Sequence, residues 1–121
     1  MQRIKNLIKK AKSAKSEGEY SESINAMRTA AILASNWDFQ NEIMKLQEQI
    51  RKLQIEDLTI KKKKAEKSAK AAVKKKIYSE AAAHYKIASK IASEIFKLGD
   101  PKMTKEVKRL TNKANEFEKL S

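Results

Sequence analysis

Lysine is the residue type whose number and spacing could do the most chemistry in this chain. Of 28 basic residues, 24 are Lys and four are Arg, against 15 acids, for a net charge of +13 over 121 residues. The charge is unevenly placed. Residues 61–76 hold nine Lys and one Glu, and residues 1–15 hold six basic groups and no acid. Residues 16–60, by contrast, carry four basic and eight acidic groups. Ammonium groups repeated over successive helical turns neutralise phosphates or carboxylates without reading sequence, and such binding falls steeply with salt. The same run also describes a plain solvated helix face. If it binds, the expected basic face is Lys61, Lys62, Lys63, Lys64, Lys67, Lys70 and Lys74. Arg forks are scarce, and no aromatics are interleaved for base stacking, so nucleic acid is the least favoured partner. An acidic protein or an anionic membrane surface ranks ahead of it.

Catalytic chemistry finds no footing. There is no Gly-rich phosphate loop, no nucleophile beside a histidine, and no pair of carboxylates set among apolar residues. His84 is the sole histidine and there is no cysteine, which removes thiolate metal sites and disulfides. Asp38 and Glu42 would share a helix face, but they read as partners of the helix dipole in a first turn. His84 reads as structural or solvent-facing. The expectation is a protein that is not an enzyme and needs no cofactor or metal.

The elements that carry these lysines must be helices. Two Gly and one Pro are too little punctuation for strands and hairpins, while Ala, Lys, Glu, Leu and Ile favour helix throughout. The longest apolar run, Ala30–Ala34, is far short of a membrane span. Lys9, Lys10 and Lys12 interrupt any signal-peptide core, so the N-terminus reads as mature helix and the location as cytoplasmic.

An internal repeat sets the organisation. Tyr20–Ser35 recurs as Tyr78–Ser93 at an offset of 58, opening on Tyr-Ser-Glu in both copies. Ala30 falls on Ala88, and Ala34-Ser35 on Ala92-Ser93; upstream, Ala11, Lys12 and Ala14 fall on Ala69, Lys70 and Ala72. Such self-similarity marks a stacked helical array.

Apolar spacing places the first helix over 2–17, closed by Gly18, and the second over 20–35, where Ser21 offers a cap. The inner stripe of the second is Tyr20, Ile24, Met27, Ala31 and Ala34. Asn36 to Asp38 reads as a turn, with Asn36 or Asp38 as cap and Trp37 and Phe39 packing over the stack. Phe39, Ile43, Leu46, Ile50 and Leu53 then follow a heptad, and the apolar phase slips at Asp57. The preferred reading is one helix from about Trp37 to Lys76; a break near Asp57–Thr59 is the alternative. Tyr78 to Leu98 forms the next helix, lined by Tyr78, Ala82, Tyr85, Ala88, Ile91, Ala92 and Ile95. Gly99 and Pro101 stop it, and Met103, Val107, Leu110, Ala114 and Phe117 line the last. Glu42-Ile43 aligns with Glu106-Val107 at an offset of 64, so the second copy has a six-residue insertion. Tyr20, Tyr78, Tyr85, Met27, Met44 and Met103 are assigned to the core.

The expected fold is all-α, with five helices (six if the central one breaks). They form two tandem three-helix repeats, 1–56 and 57–121, sharing a long central helix and packed as one compact domain.

Tyr78-x-Glu80-Ala81-x-x-x-Tyr85-x-x-Ala88 resembles the second helix of tetratricopeptide-like units, and more closely that of MIT (microtubule-interacting and trafficking) domains. Gly18-x-Tyr20-x-Glu22-Ser23-x-x-x-Met27-x-x-Ala30 is a weaker form of it. The stretch Val107 to Leu120, with Lys113-Ala114 and Phe117, looks like the MIT third helix. The resemblance implies a module that grips amphipathic or acidic helical segments, such as tails of ESCRT filament subunits, in an interhelical groove. It places that groove at Thr111 and Asn115, and Lys90 and Lys108 are expected to belong to the same groove. Where the family carries Leu and Glu, this chain has Thr111 and Asn115, which departs from the usual ligand contacts. Self-association into a homodimer through the long central helix is a further reading.

Overall fold

A computed structural model describes residues 2–37 and 39–121. It is all-helical: α1 (Gln2–Ser16), α2 (Tyr20–Asn36), α3 (Gln40–Lys74), α4 (Tyr78–Lys97) and α5 (Met103–Leu120). The chain divides into two compact units, Met1–Glu56 and Asp57–Ser121. The division falls inside α3, which runs unbroken for 35 residues. Asp57 does not end the helix. It pairs with Lys61 one turn on, at 3.2 Å. The slip in apolar phase at that point has a packing cause: Leu46 and Leu53 belong to the core of the first unit, and Ala65 and Ala69 to that of the second.

The first unit's core joins Ile4 and Ala11 of α1 to Ile24, Met27, Ala30 and Ala34 of α2, and to Leu46 and Leu53 of α3. The second joins Ala65 and Ala69 of α3 to Tyr85, Ala88 and Ala92 of α4 and to Leu110 and Ala114 of α5. Alanine recurs wherever helices meet: Ala11, Ala30, Ala34, Ala69, Ala88 and Ala92 are all fully buried. A methyl group at these points lets helix backbones approach closely, and the larger residues fill the space between.

Helix ends repeat with the same spacing as the sequence. Gly18 has φ +79; its N–H donates to the Lys15 carbonyl at 2.9 Å, and that of Glu19 to Ala14 at 2.8 Å. Fifty-eight residues later Lys76, at φ 61, donates to Val73 at 3.0 Å, and Ile77 to Ala72 at 2.9 Å. Both ends are Schellman turns, which satisfy the last carbonyls of a helix. Gly99 ends α4 in the same way, donating to Phe96 at 2.9 Å. Glu19 and Ile77 then open α2 and α4 with nearly equal backbone angles, φ/ψ −90/73 and −96/77.

Some expected details differ. Neither Ser21 nor Asn36 caps: Ser21 lies inside α2, no side chain caps its N-terminus, and Asn36 is its last residue. Asp38, expected as a cap or, with Glu42, as a partner of the helix dipole, lies outside the described residues. Phe39 packs on the first core, but Trp37 is 69% exposed and Met44 68% exposed, so neither belongs to it. Met44 misses because the core takes Ile43, Leu46, Ile50 and Leu53, and Met44 falls on the opposite side of the turn.

Candidate functional site: the α4–α5 groove and its ionic neighbour

The site is built on α4 and α5. Leu110 and Ala114 of α5 sit against Ala88 and Ala92 of α4, holding the two helices close along their shared seam. Aromatic rings secure the far end. Phe117 lies between Tyr85 and Tyr78, stacked on each with centroids 5.7 and 5.9 Å away. The Lys113 ammonium stands 5.8 Å from the centre of the Tyr85 ring, a cation–π contact on the same seam.

Outside the seam the two helices leave a groove of about 570 Å³. Val107 and Ala114 contribute its apolar side with Ile87, which is half exposed. Lys86, Lys90, Ser89, Ser93, Thr111 and Asn115 supply the polar rim. Ser89 and Thr111 share a hydrogen bond between hydroxyls at 2.7 Å, tying α4 to α5 across it. Lys86 pairs with Glu118 at 2.9 Å, but both groups are more than half exposed, so that pair contributes little stability.

Of the four residues expected here, Lys90, Thr111 and Asn115 line the groove together. Lys108 is exposed on α5 and is not among the lining residues. Sequence reasoning missed Ile87, Ser89 and Ser93, although Ser89 and Ser93 lie one helical turn apart on the face that carries Lys86 and Lys90.

Beside the seam lies an ionic cluster that the sequence did not reveal. Lys62 is buried, its ammonium 3.0 Å from Glu66 Oε2 and 3.1 Å from Glu106 Oε1. Arg109 closes the ring, donating from Nε to Glu106 at 2.7 Å and from its terminal nitrogen to Glu66. The Arg109 hydrogen bond, opposed by burial and aided by Lys62, holds the Glu106 carboxyl down at about 2. For Glu66 burial is the largest single influence and pushes upward. The hydrogen bonds from Arg109 and Lys62 together outweigh it and leave the group below its ordinary value. Glu106 and then Glu66 hold the Arg109 proton more firmly than usual. Burial, with the charge of Glu66, pushes the Tyr85 phenol up. All four carboxylate oxygens of Glu66 and Glu106 are engaged by Lys62 or Arg109. Among the described residues no group of His, Cys, Asp or Glu could hold a metal ion.

Lys62 therefore does not belong to the expected basic face. It is buried at the position 58 residues after Ile4, which is also buried. Lys61, Lys63, Lys64, Lys67, Lys70 and Lys74 are exposed as expected, with Lys61 held by Asp57. His84 is partly buried on α4. No helix among the described residues is long and apolar enough to cross a membrane.

Set against protein-family models, curated proteins and solved structures, the chain finds no match in any of the three.

Proposed function

We propose that this chain is a non-enzymatic binding module, built as two tandem three-helix units of MIT-like or tetratricopeptide-like kind. It docks an amphipathic, acidic helical segment in the groove between α4 and α5. The observation that carries this is the groove's make-up: an apolar side of Val107, Ala114 and Ile87 beside the cations Lys86 and Lys90. A guest helix laying an apolar stripe along the groove, with carboxylates at its flank, satisfies both. Thr111 and Asn115 stand where the MIT pattern carries Leu and Glu, and the Ser89–Thr111 tie makes the rim more polar. The proposed guest is accordingly less apolar at that point than the tails of ESCRT filament subunits that the resemblance suggests.

The test is a titration with a labelled amphipathic acidic helical peptide at low and near-physiological salt. It compares the unaltered protein with Ile87→Asp/Lys90→Glu. Both side chains are exposed, so the double variant keeps its fold. Saturable binding that survives salt and drops at least tenfold in the variant supports the reading. Binding that vanishes with salt and ignores the variant sinks it.

A further inference from the structure

The exposed side of α3 beyond the ionic cluster carries a row of cations with a definite geometry. Lys63, Lys67, Lys70 and Lys74 follow one another at intervals of four, three and four residues and are all exposed. At 3.6 residues per turn they fall within about 60° of helix circumference and extend over about 16 Å. Lys64 and Lys75 flank the row, also exposed. The one acid of this stretch, Glu66, is turned inward and neutralised by Lys62 and Arg109. No carboxylate interrupts the face. Lys61 is the only exposed lysine of the stretch that forms an ion pair among the described residues.

The row has a counterpart. Fifty-eight residues earlier Lys5, Lys9 and Lys12 occupy the same places on α1 and are likewise exposed. The two helices otherwise share few surface residues, so matched lysines on the outer side of both units set this feature apart from general lysine richness. The second unit is the more basic, with eighteen basic and eight acidic residues against ten and seven in the first.

We infer that the Lys63–Lys67–Lys70–Lys74 face of α3 is a docking surface for an anionic lipid bilayer. The charge pattern selects this occupant. Lysine ammoniums are compact point charges, whereas groove readers of nucleic acid draw on Arg forks, and single-strand binders on aromatic platforms. This face has neither. One side of a single unbroken helix offers a line of charge, and laterally mobile anionic headgroups gather beneath such a line. Ile60 and Ile77 stand exposed near its two ends, 42% and 39% accessible, where short apolar side chains reach the acyl boundary.

The test is co-sedimentation with vesicles of 30% phosphatidylserine in phosphatidylcholine, and with pure phosphatidylcholine vesicles. One variant carries Lys63→Gln, Lys67→Gln, Lys70→Gln and Lys74→Gln. A second loses the same charge elsewhere, through Lys97→Gln, Lys102→Gln, Lys105→Gln and Lys119→Gln. All eight side chains are exposed, so both variants keep their helix content by circular dichroism. The expected result is binding to the anionic vesicles alone. It should weaken about a hundredfold in the row variant and no more than threefold in the control, since each lysine at the surface adds to membrane attraction. Equal weakening in both variants would reduce the effect to net charge and overturn the proposal. So would a lack of vesicle binding, or duplex DNA binding that the row variant abolishes while vesicles are ignored.

Discussion

The two units fill matching positions with different chemistry. In the first, Ile4 and Ile8 of α1 pack on the core; 58 residues on, the same places hold Lys62 and Glu66. Met27 becomes Tyr85, whose ring, with that of Tyr78, grips Phe117. Ser23, fully buried, donates to the Ala11 carbonyl at 2.7 Å, whereas its counterpart Ala81 is buried with no polar atom to place. Apart from a half-exposed Lys15–Glu56 pair at 3.3 Å, the first unit thus closes its α1 side with greasy contacts and one hydroxyl, the second with a four-membered ionic ring. Burial of aliphatic side chains is insensitive to acid, but a ring of paired charges depends on its carboxylates staying ionised. Positions 58 residues apart in the sequence therefore carry two different sensitivities.

The sharpest way to break that difference is at Lys62. Replacing it with Met strands Glu66 and Glu106 with only Arg109 between them. The expected loss is about 3 kcal/mol, near the lower end for breaking a buried pair because one cation remains. Segment-resolved amide exchange should show it in residues 57–121 and not in 2–37. Lys62→Ile together with Glu66→Ile imports the first unit's solution and should restore stability to within about 1 kcal/mol of the original. If the double variant is as weak as the single one, the ring is not exchangeable for apolar packing.

Acid comes next. The Glu106 pKa is depressed, so its stabilisation is fully present above the unfolded value near 4.5 and is lost as pH falls toward about 2. Glu66 moves the same way. With partial exposure of Glu106 discounting the effect, the second unit should lose roughly 2 kcal/mol across that window. Urea titrations at pH 5 and pH 2.5 measure it; in Glu106→Gln the pH dependence should shrink by more than half.

A smaller effect is expected at Ser23→Ala, which copies Ala81 into the first unit. It removes one buried hydrogen bond, and midpoint shifts in urea should report a cost of about 1 kcal/mol. The smallest is a gain. Lys76 ends α3 at φ 61, where Gly18 ends α1 with no side-chain penalty. Lys76→Gly should stabilise the second unit by about 0.5–1 kcal/mol. A loss of stability would mean that the lysine side chain contributes more than its backbone strain costs.

Much of this was legible in the residues themselves. Scarce Gly and Pro, the 58-residue repeat and the 3–4 spacing led to five helices, and α5 packs on the line from Met103 to Phe117 that its heptad predicts. The ionic ring was hidden because a lysine at 62 looks like its neighbours in a run of four; only the alignment with Ile4 marks it as inward. Trp37 and Met44 misled in the opposite sense, since apolar side chains suggest burial wherever they fall, while exposure is decided by which turn faces the core. For the groove, Thr111 and Asn115 came from a resemblance, and Lys90 was expected beside them. Its serines needed the geometry of the helix pair.

Placing the binding function in the second unit's groove is the central claim, and the repeat supplies its own control. Thr29 and Ile32 stand 58 residues before Ile87 and Lys90, and both are exposed. The most direct measurement is calorimetric titration of an amphipathic acidic helical peptide into the unaltered protein, Ile87→Asp/Lys90→Glu and Thr29→Asp/Ile32→Glu. The account predicts one site, lost in the first variant and unchanged in the second. Unchanged binding in the first variant, or loss only in the second, would contradict it.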